Sequence, residues 1–309
     1  MLVEMLNQNI IKPPLLSLYL CYSDNIPIKI YKDILTNFEE LWGMHLHILS
    51  QNVSNNVNIN KFIELVKTFD KITYSFGEGI INNQIHFTDL NTYKNMQSEK
   101  FRALEIIVNK ELINNIKYCN YIKDIINNDI NLELYFRVNK QNLDSLDDIV
   151  KFCYMNNIKI CIIDIDKTNS INKITGIEYK KTLDLINSIN MKSRVKLSVA
   201  ECPYLKIQDN KFQKMVGGCS GGITSGMIDE NGNFIMCYYL KELSFGNITN
   251  TSLIKIWNEN ILLNKIRNRK NIKGKCSKCK YLFCCGGCRA ESYFTYKDLF
   301  NEDTNCWIH

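Results

Sequence analysis

CSKCKYLFCCGGCRAESYFTYKDLFNEDTNC, running from Cys276 to Cys306, is the stretch from which the rest of the chain is read. Six of the thirteen cysteines fall within it. Cys276, Cys279, Cys285 and Cys288 form C-x2-C-x5-C-x2-C, and Cys306 follows after seventeen residues. Thiolates two residues apart converge on one soft metal because a short turn aims both sulfurs the same way, and Gly286 and Gly287 let backbone pass close to an inorganic core. Iron-sulfur clusters and zinc both accept four thiolates, so the spacing leaves both open. A disulfide set is the third reading. It fits poorly with 309 residues, an odd cysteine count and an N-terminus, MLVEMLNQNIIKPP, without the basic-then-apolar build of a secretory signal. A reducing, cytoplasmic setting is expected instead.

At 45% hydrophobic the composition is that of an ordinary globular protein, with room for one large domain or two smaller ones. No apolar run approaches the roughly 18 residues of a membrane span, so no membrane partner is expected. The net charge of +6 is modest and spread through the chain, which does not point to nucleic acid. The one dense basic stretch, Lys265, Arg267, Arg269, Lys270, Lys273, Lys275, Lys278 and Lys280, leads into the cysteines. A solvated helix end and loop is its plain reading. The other readings are an offset for cluster charge, since four thiolates on an oxidised four-iron core leave about −2, and a surface for an acidic peptide.

Upstream, from Leu15 to Cys202, short apolar strands alternate with helical periodicity. LLSLYLCY (15–22), MHLHILSQ (44–51), KITYSF (71–76), ALEIIVN (103–109), LELYFRVN (132–139) and KICIIDID (159–166) are six strands, with RVKLSVAEC (194–202) a final one. Ile-, Leu- and Val-rich strands separated by helices predict parallel pairing covered by helices. With no dinucleotide fingerprint, the expected fold is α/β: an open, partial (β/α)6 barrel over residues 1–200, then a small cysteine-rich α+β region over 201–309. In that second region Asn231-Gly232 between apolar runs predicts a hairpin with Cys237 on its return strand. Asn250 or Thr251 is expected to cap a helix whose apolar face includes Leu253, Ile256, Trp257, Ile261 and Leu262.

Taken together, Cys219, Gly232 with Cys237 after it, FGNITNTSLIKIWN (245–258) and CxxCxxxxxCGGCRA ending at Cys306 resemble the SPASM domain, the C-terminal auxiliary-cluster module of radical SAM enzymes. The resemblance covers about residues 202–309. It implies one or two auxiliary 4Fe-4S clusters. Cys276, Cys279, Cys285 and Cys306 then correspond to the ligands of one, and Cys219, Cys237 and Cys288 to ligands of the other, with Cys202 a candidate fourth. Cys284 is the competing register for Cys285, and the CGGCRA match favours Cys285. The upstream strand-helix pattern looks like the partial barrel of the same enzymes.

The departure lies in the barrel. Radical SAM enzymes hold their catalytic cluster by CxxxCxxC after the first strand, and this chain has only Cys21 there, in LYLCYSDNIPI. HILSQNVSN stands where a GGE-type motif is expected after the second strand. Cleavage of S-adenosylmethionine is therefore not expected, and no catalytic residue is assigned. The resemblance implies a cluster-binding accessory or pseudoenzyme in maturation of a ribosomally made peptide, working with that peptide, with an active radical SAM partner protein, or with both. Two alternatives stand beside it: an active oxidoreductase or peptide-modifying enzyme using the auxiliary clusters, and a zinc-stabilised interaction module.

The remaining singled-out residues have plain readings. Cys119, Cys153 and Cys161 sit on apolar faces as small hydrophobes. His45 and His47 alternate along a strand, with one expected to point into the barrel mouth. Asp164 and Asp166 end a strand at the face where such barrels place their sites.

Overall fold

The structure, a computed structural model, describes residues 13–50, 57–80, 84–168, 171–200 and 218–308. Cys202 lies outside the described residues. Strands β1 (Ser17–Cys21), β2 (His45–Ser50), β3 (Thr73–Glu78), β4 (Phe101–Ile107), β5 (Leu132–Val138), β6 (Ile160–Ile165) and β7 (Lys196–Val199) lie side by side in chain order and pair in parallel. Helices α1 (Ile28–Glu40), α2 (Val57–Lys67), α3 (Leu90–Met96), α4 (Ile116–Asn127), α5 (Leu146–Met155) and α6 (Gly176–Lys192) connect them. Each helix buries one stripe; in α1 it is Tyr31, Ile34, Leu35 and Phe38, the spacing of a 3.6-residue period. Parallel strands need such crossovers, which is why the sequence alternates as it does.

The sheet ends at β7 on one side but continues past β1 on the other. Strand β8 (Ser225–Ile228) pairs in parallel with β1, placing Ser17 opposite Ser225 and Leu20 opposite Ile228. Strands β9 (Asn233–Ile235) and β10 (Ser244–Asn247) then add antiparallel, giving one ten-stranded, open sheet. The hairpin at Asn231-Gly232 forms as expected. Gly232 takes φ +80°, and Asp229 Oδ1 accepts the N–H groups of Asn231 and Asn233 at 2.9 and 2.8 Å.

Several local expectations are corrected. The helix after the hairpin is two helices, α7 (Leu253–Glu259) and α8 (Ile261–Arg267). Asn260 breaks the run by taking the N-cap of α8, its Oδ1 accepting from Leu262 and Leu263, while Ser252 rather than Asn250 or Thr251 precedes α7. Ile261 is consequently turned out to solvent, while Trp257 is fully buried. The basic stretch is not uniformly solvated either: Arg267 and Arg269 are buried. His45 and His47 share one face of β2, as residues two apart in a strand must, and of the two it is His47 that lines the cavity inside the sheet, as expected of one of them. Among the described residues no helix is long and apolar enough to cross a membrane.

Candidate metal centre

Cys276, Cys279, Cys285 and Cys306 line one recess of about 310 Å³, together with Tyr281, Gly286 and Asp303. Among the described residues no three His, Cys, Asp or Glu side chains meet at a point that would hold a metal ion; the four sulfurs stand around a space. Each of the four accepts a backbone N–H: Cys276 from Asp303 at 3.5 Å, Cys279 from Tyr281 at 3.4 Å, Cys285 from Gly287 at 3.3 Å, and Cys306 from Ile308. N–H groups aimed at sulfur stabilise thiolates and tune the potential of iron-sulfur clusters. The other described cysteines with resolved bonds behave differently. Cys284 donates to Tyr281 O at 3.4 Å and Cys119 to Ile113 O at 3.2 Å, as neutral thiols do. Burial pushes the Cys276, Cys285 and Cys306 thiols up, so a bound metal has to displace their protons.

Buried cations surround this recess. Arg269, 2% exposed, donates Nη1 to the carbonyls of Leu282 and Phe283 at 3.2 and 3.0 Å and so shapes the loop between Cys279 and Cys285. Gly286 (φ +68°) lies over its guanidinium; a Cβ there would be 2.8 Å from Arg269 Cζ. Arg289, 4% exposed, donates Nη1 to Leu299 O and Asn301 O, both at 2.8 Å. Its Nε and Nη2 have no hydrogen-bond partner among the described residues. A buried guanidinium without a carboxylate is costly unless an anion lies nearby, and a thiolate-ligated cluster supplies one. The donor set, the N–H groups and the cations all fit a four-iron cluster.

Asp303, which sequence reasoning missed, ties the knuckle together. Its Oδ2 accepts the Cys288 N–H at 2.6 Å, its Oδ1 accepts that of Asn305 at 2.9 Å, and its own N–H points at Cys276. The local signal was there, since an Asp two residues before an Asn in a short loop commonly forms such a turn. Cys288 is buried, and Cys219 lies close enough to act on its thiol electrostatically. The loop carrying Cys219 presses on the knuckle, where only glycine fits: a Cβ at Gly218 would fall 1.7 Å from Cys285 O. Cys237, on the far side of the hairpin, lines a different space.

That space is the cavity inside the curved sheet, about 810 Å³, walled by Tyr19, Leu49, Tyr135, Ile162 and Met227 and closed over by Cys237 to Tyr239. His47, Glu105, Arg137 and Asp164 bring polar atoms into it. Asp164 is buried; its Oδ2 accepts Arg137 Nε at 3.1 Å and its carboxylate accepts the Tyr239 hydroxyl at 2.8 Å. Asp166, by contrast, caps its own loop through Thr168. His45 sits behind His47, its Nδ1 2.8 Å from Thr73 Oγ1, and burial lowers its pKa to about 4. Cys21 ends β1 buried against Leu49, Ile80, Met227 and Ile235, with burial pushing its thiol well up. Beyond it, where the three-cysteine motif would stand, Tyr22 stacks on Tyr31 and Phe62, and those two rings meet tilted, with centroids 4.7 to 5.4 Å apart. Cys153 and Cys161 are fully buried in the main core.

Residues 219–280 match the SPASM family, an iron-sulfur cluster-binding domain. The match includes Cys219, Cys237, Cys276 and Cys279 and ends before Cys285. The chain is similar to the AdoMet-dependent heme synthase of Nitratidesulfovibrio vulgaris, 27% identical over 198 residues, 57% of this chain and 54% of that protein. It is also similar to the enzyme of the same name from Methanosarcina barkeri, 25% identical over 150 residues, 44% of this chain and 43% of that one. The matched parts thus span only about half the length of these relatives. Among solved structures, Streptococcus suis SuiB bound to S-adenosylmethionine superposes with a TM-score of 0.74 at 16% identity, over 98% of this chain and 79% of that one. The anSMEcpe structure with AdoMet and a Cp18Cys peptide gives 0.65 at 14% identity, over 96% and 94%. These two share the fold of this chain, α/β with a mostly parallel sheet.

Proposed function

We propose that this chain is an iron-sulfur protein in which Cys276, Cys279, Cys285 and Cys306 hold one four-iron cluster and Cys219, Cys237 and Cys288 hold a second, with the fourth position of the latter left to Cys202 or to a substrate group. The observation that carries the reading is that all four recess sulfurs accept backbone N–H groups whereas Cys284 and Cys119 donate. Bound there, a cluster supplies one-electron chemistry or an anchoring Lewis acid. The chain's own part is to hold it: Arg269 shapes the loop, Arg289 balances the charge, and Asp303 fixes the return of the backbone.

The chain divides, on this proposal, into a barrel part, 1–200, and a cluster part, 201–309, and works in the cytoplasm as an accessory or pseudoenzyme in peptide maturation beside an active radical SAM protein. The aromatic packing of Tyr22, Tyr31 and Phe62 after β1, with Cys21 the one cysteine there, supports this over an S-adenosylmethionine-cleaving enzyme. Anaerobic purification with iron, sulfide and zinc analysis tests the cluster reading, with on the order of eight irons per chain expected if both sites fill. Stoichiometric zinc without iron would establish the interaction-module alternative. An assay for 5′-deoxyadenosine with dithionite tests the accessory role, with none above background expected from the protein alone. A second reading, an active enzyme, is favoured by one observation: Cys237 lines the barrel cavity, so a cluster held there would face whatever the cavity binds. Production of 5′-deoxyadenosine, or modification of a peptide by this protein alone, would decide for it.

A further inference from the structure

The barrel cavity contains a polar pair that cluster binding does not use. His47 Nδ1 lies 3.0 Å from Ser75 Oγ and 3.4 Å from Glu105 Oε1, and the ring stacks on Tyr19 at 4.3 Å between centroids and 9° between planes. The ring is thus held by one face and one nitrogen. Glu105 is buried, and its Oε1 faces His47 Nδ1. An ionised carboxylate at Nδ1 selects the tautomer with its proton on Nδ1, which leaves a lone pair on Nε2. Nε2 has no hydrogen-bond partner among the described residues, and the ring lines the cavity.

Arg137 offers the complementary group in the same cavity. Its Nε is held by Asp164 and its Nη2 donates to Ile80 O at 3.1 Å, leaving Nη1 without a partner among the described residues. Tyr239 also donates to Asp164, so the carboxylate that orients the guanidinium is itself held in place. The rest of the wall is aromatic and aliphatic, chiefly Tyr19, Tyr135, Leu49 and Met227. A concave space with apolar walls and two fixed polar ends has the make-up of a small-molecule site.

We propose that this cavity binds a planar aromatic ligand carrying an anionic group, met by Arg137, and a hydroxyl, which donates its hydrogen bond to His47 Nε2; a hydroxyphenyl acid is the simplest member of the class. Glu105 is a positioning residue here, since it sets the tautomer and does not touch the ligand.

Calorimetric titration of the anaerobically reconstituted protein with 4-hydroxyphenylacetate and with phenylacetate tests this. A site built to pair with a hydroxyl discriminates against the analogue lacking it. The expected result is binding of 4-hydroxyphenylacetate about tenfold or more tighter than phenylacetate. His47→Phe brings the ratio to about one, Glu105→Gln lowers it several-fold with little change of shape, and Arg137→Met weakens both acids by a similar factor. A ratio near one in the unaltered protein, failure of both acids to bind, or a ratio that survives in His47→Phe would overturn the proposal. Should His47→Phe fail to fold by circular dichroism, the near-isosteric Glu105→Gln carries the test, and an unchanged ratio there overturns the proposal equally. Iron content, measured on the same samples, reports separately on the cluster reading, so failure of one does not mask failure of the other.

Discussion

Lys173 Nζ lies 2.6 Å from Glu291 Oε2 inside the protein, joining the segment before α6 to the first turn of the helix Arg289–Tyr296 that follows the knuckle. Burial pushes the Glu291 carboxyl up and Lys173 pulls it back only in part. Its second oxygen, Oε1, has no hydrogen-bond partner among the described residues. Lys173→Met leaves that carboxylate alone in the interior and is expected to cost about 3 kcal/mol, read as a lower urea midpoint. Lys173→Met combined with Glu291→Leu is expected to recover most of the loss, because the penalty comes from the stranded charge.

The two neighbouring cysteines of the knuckle separate cleanly. Cys285→Ser is expected to remove roughly half of the iron from a protein with both sites filled, and Cys284→Ser to leave iron content unchanged. Cys285 lines the recess and accepts the Gly287 N–H, while Cys284 donates to Tyr281 O. Iron per chain after anaerobic reconstitution is the measurement, and the reverse order would shift the ligand set by one residue.

Gly286→Ala is expected to destabilise the knuckle by about 1–3 kcal/mol and to speed iron loss to a chelator several-fold. The added methyl meets the Arg269 guanidinium at 2.8 Å, on backbone already at φ +68°. Gly176→Ala is the control. It also has positive φ, +48°, but no atom lies within 4 Å of the new methyl. Chelation kinetics there should match the unaltered protein.

His45 gives the protein an acid-side sensitivity. The fold holds its pKa near 4, against 6.5 when free, through burial and the neighbouring His47, so the unfolded chain takes up the extra proton. Stability from this group is full above about pH 6.5, falls as the pH drops towards 4 and then levels off. His45→Gln is expected to flatten that segment of the stability-against-pH curve by roughly 2 kcal/mol, after allowance for partial exposure. Denaturant titrations between pH 7 and 4 would show it, and a curve of unchanged slope would rule it out.

How far these features could be read from sequence depends on the range of the interaction. The strand-helix alternation is local periodicity, so β1 to β7 fell close to their expected places. The set Cys276, Cys279, Cys285 and Cys306 came from resemblance, and the recess brings those four together. The pairing of β8 with β1 was invisible, because nothing in SGMI or SLYLC names a partner far along the chain. Arg267 and Arg269 were hidden for another reason: a charge run normally signals a wet surface, and only tertiary packing shows which members are turned inward. The common face of His45 and His47, in contrast, was legible from the two-residue period of a strand.

The β1–β8 pairing bears on how the chain is made. Strand β1 leaves the ribosome early and finds β2 soon after, but its other edge stays unpaired until Ser225–Ile228 has been synthesised. At roughly 5–20 residues per second that interval is on the order of ten seconds or more, a long exposure for an apolar strand edge. A nascent chain stalled before β8 would therefore present Ser17–Cys21 as a template for other strands. Chaperone demand and aggregation on interrupted synthesis should track the arrival of the cysteine-rich part, whatever becomes of its metal.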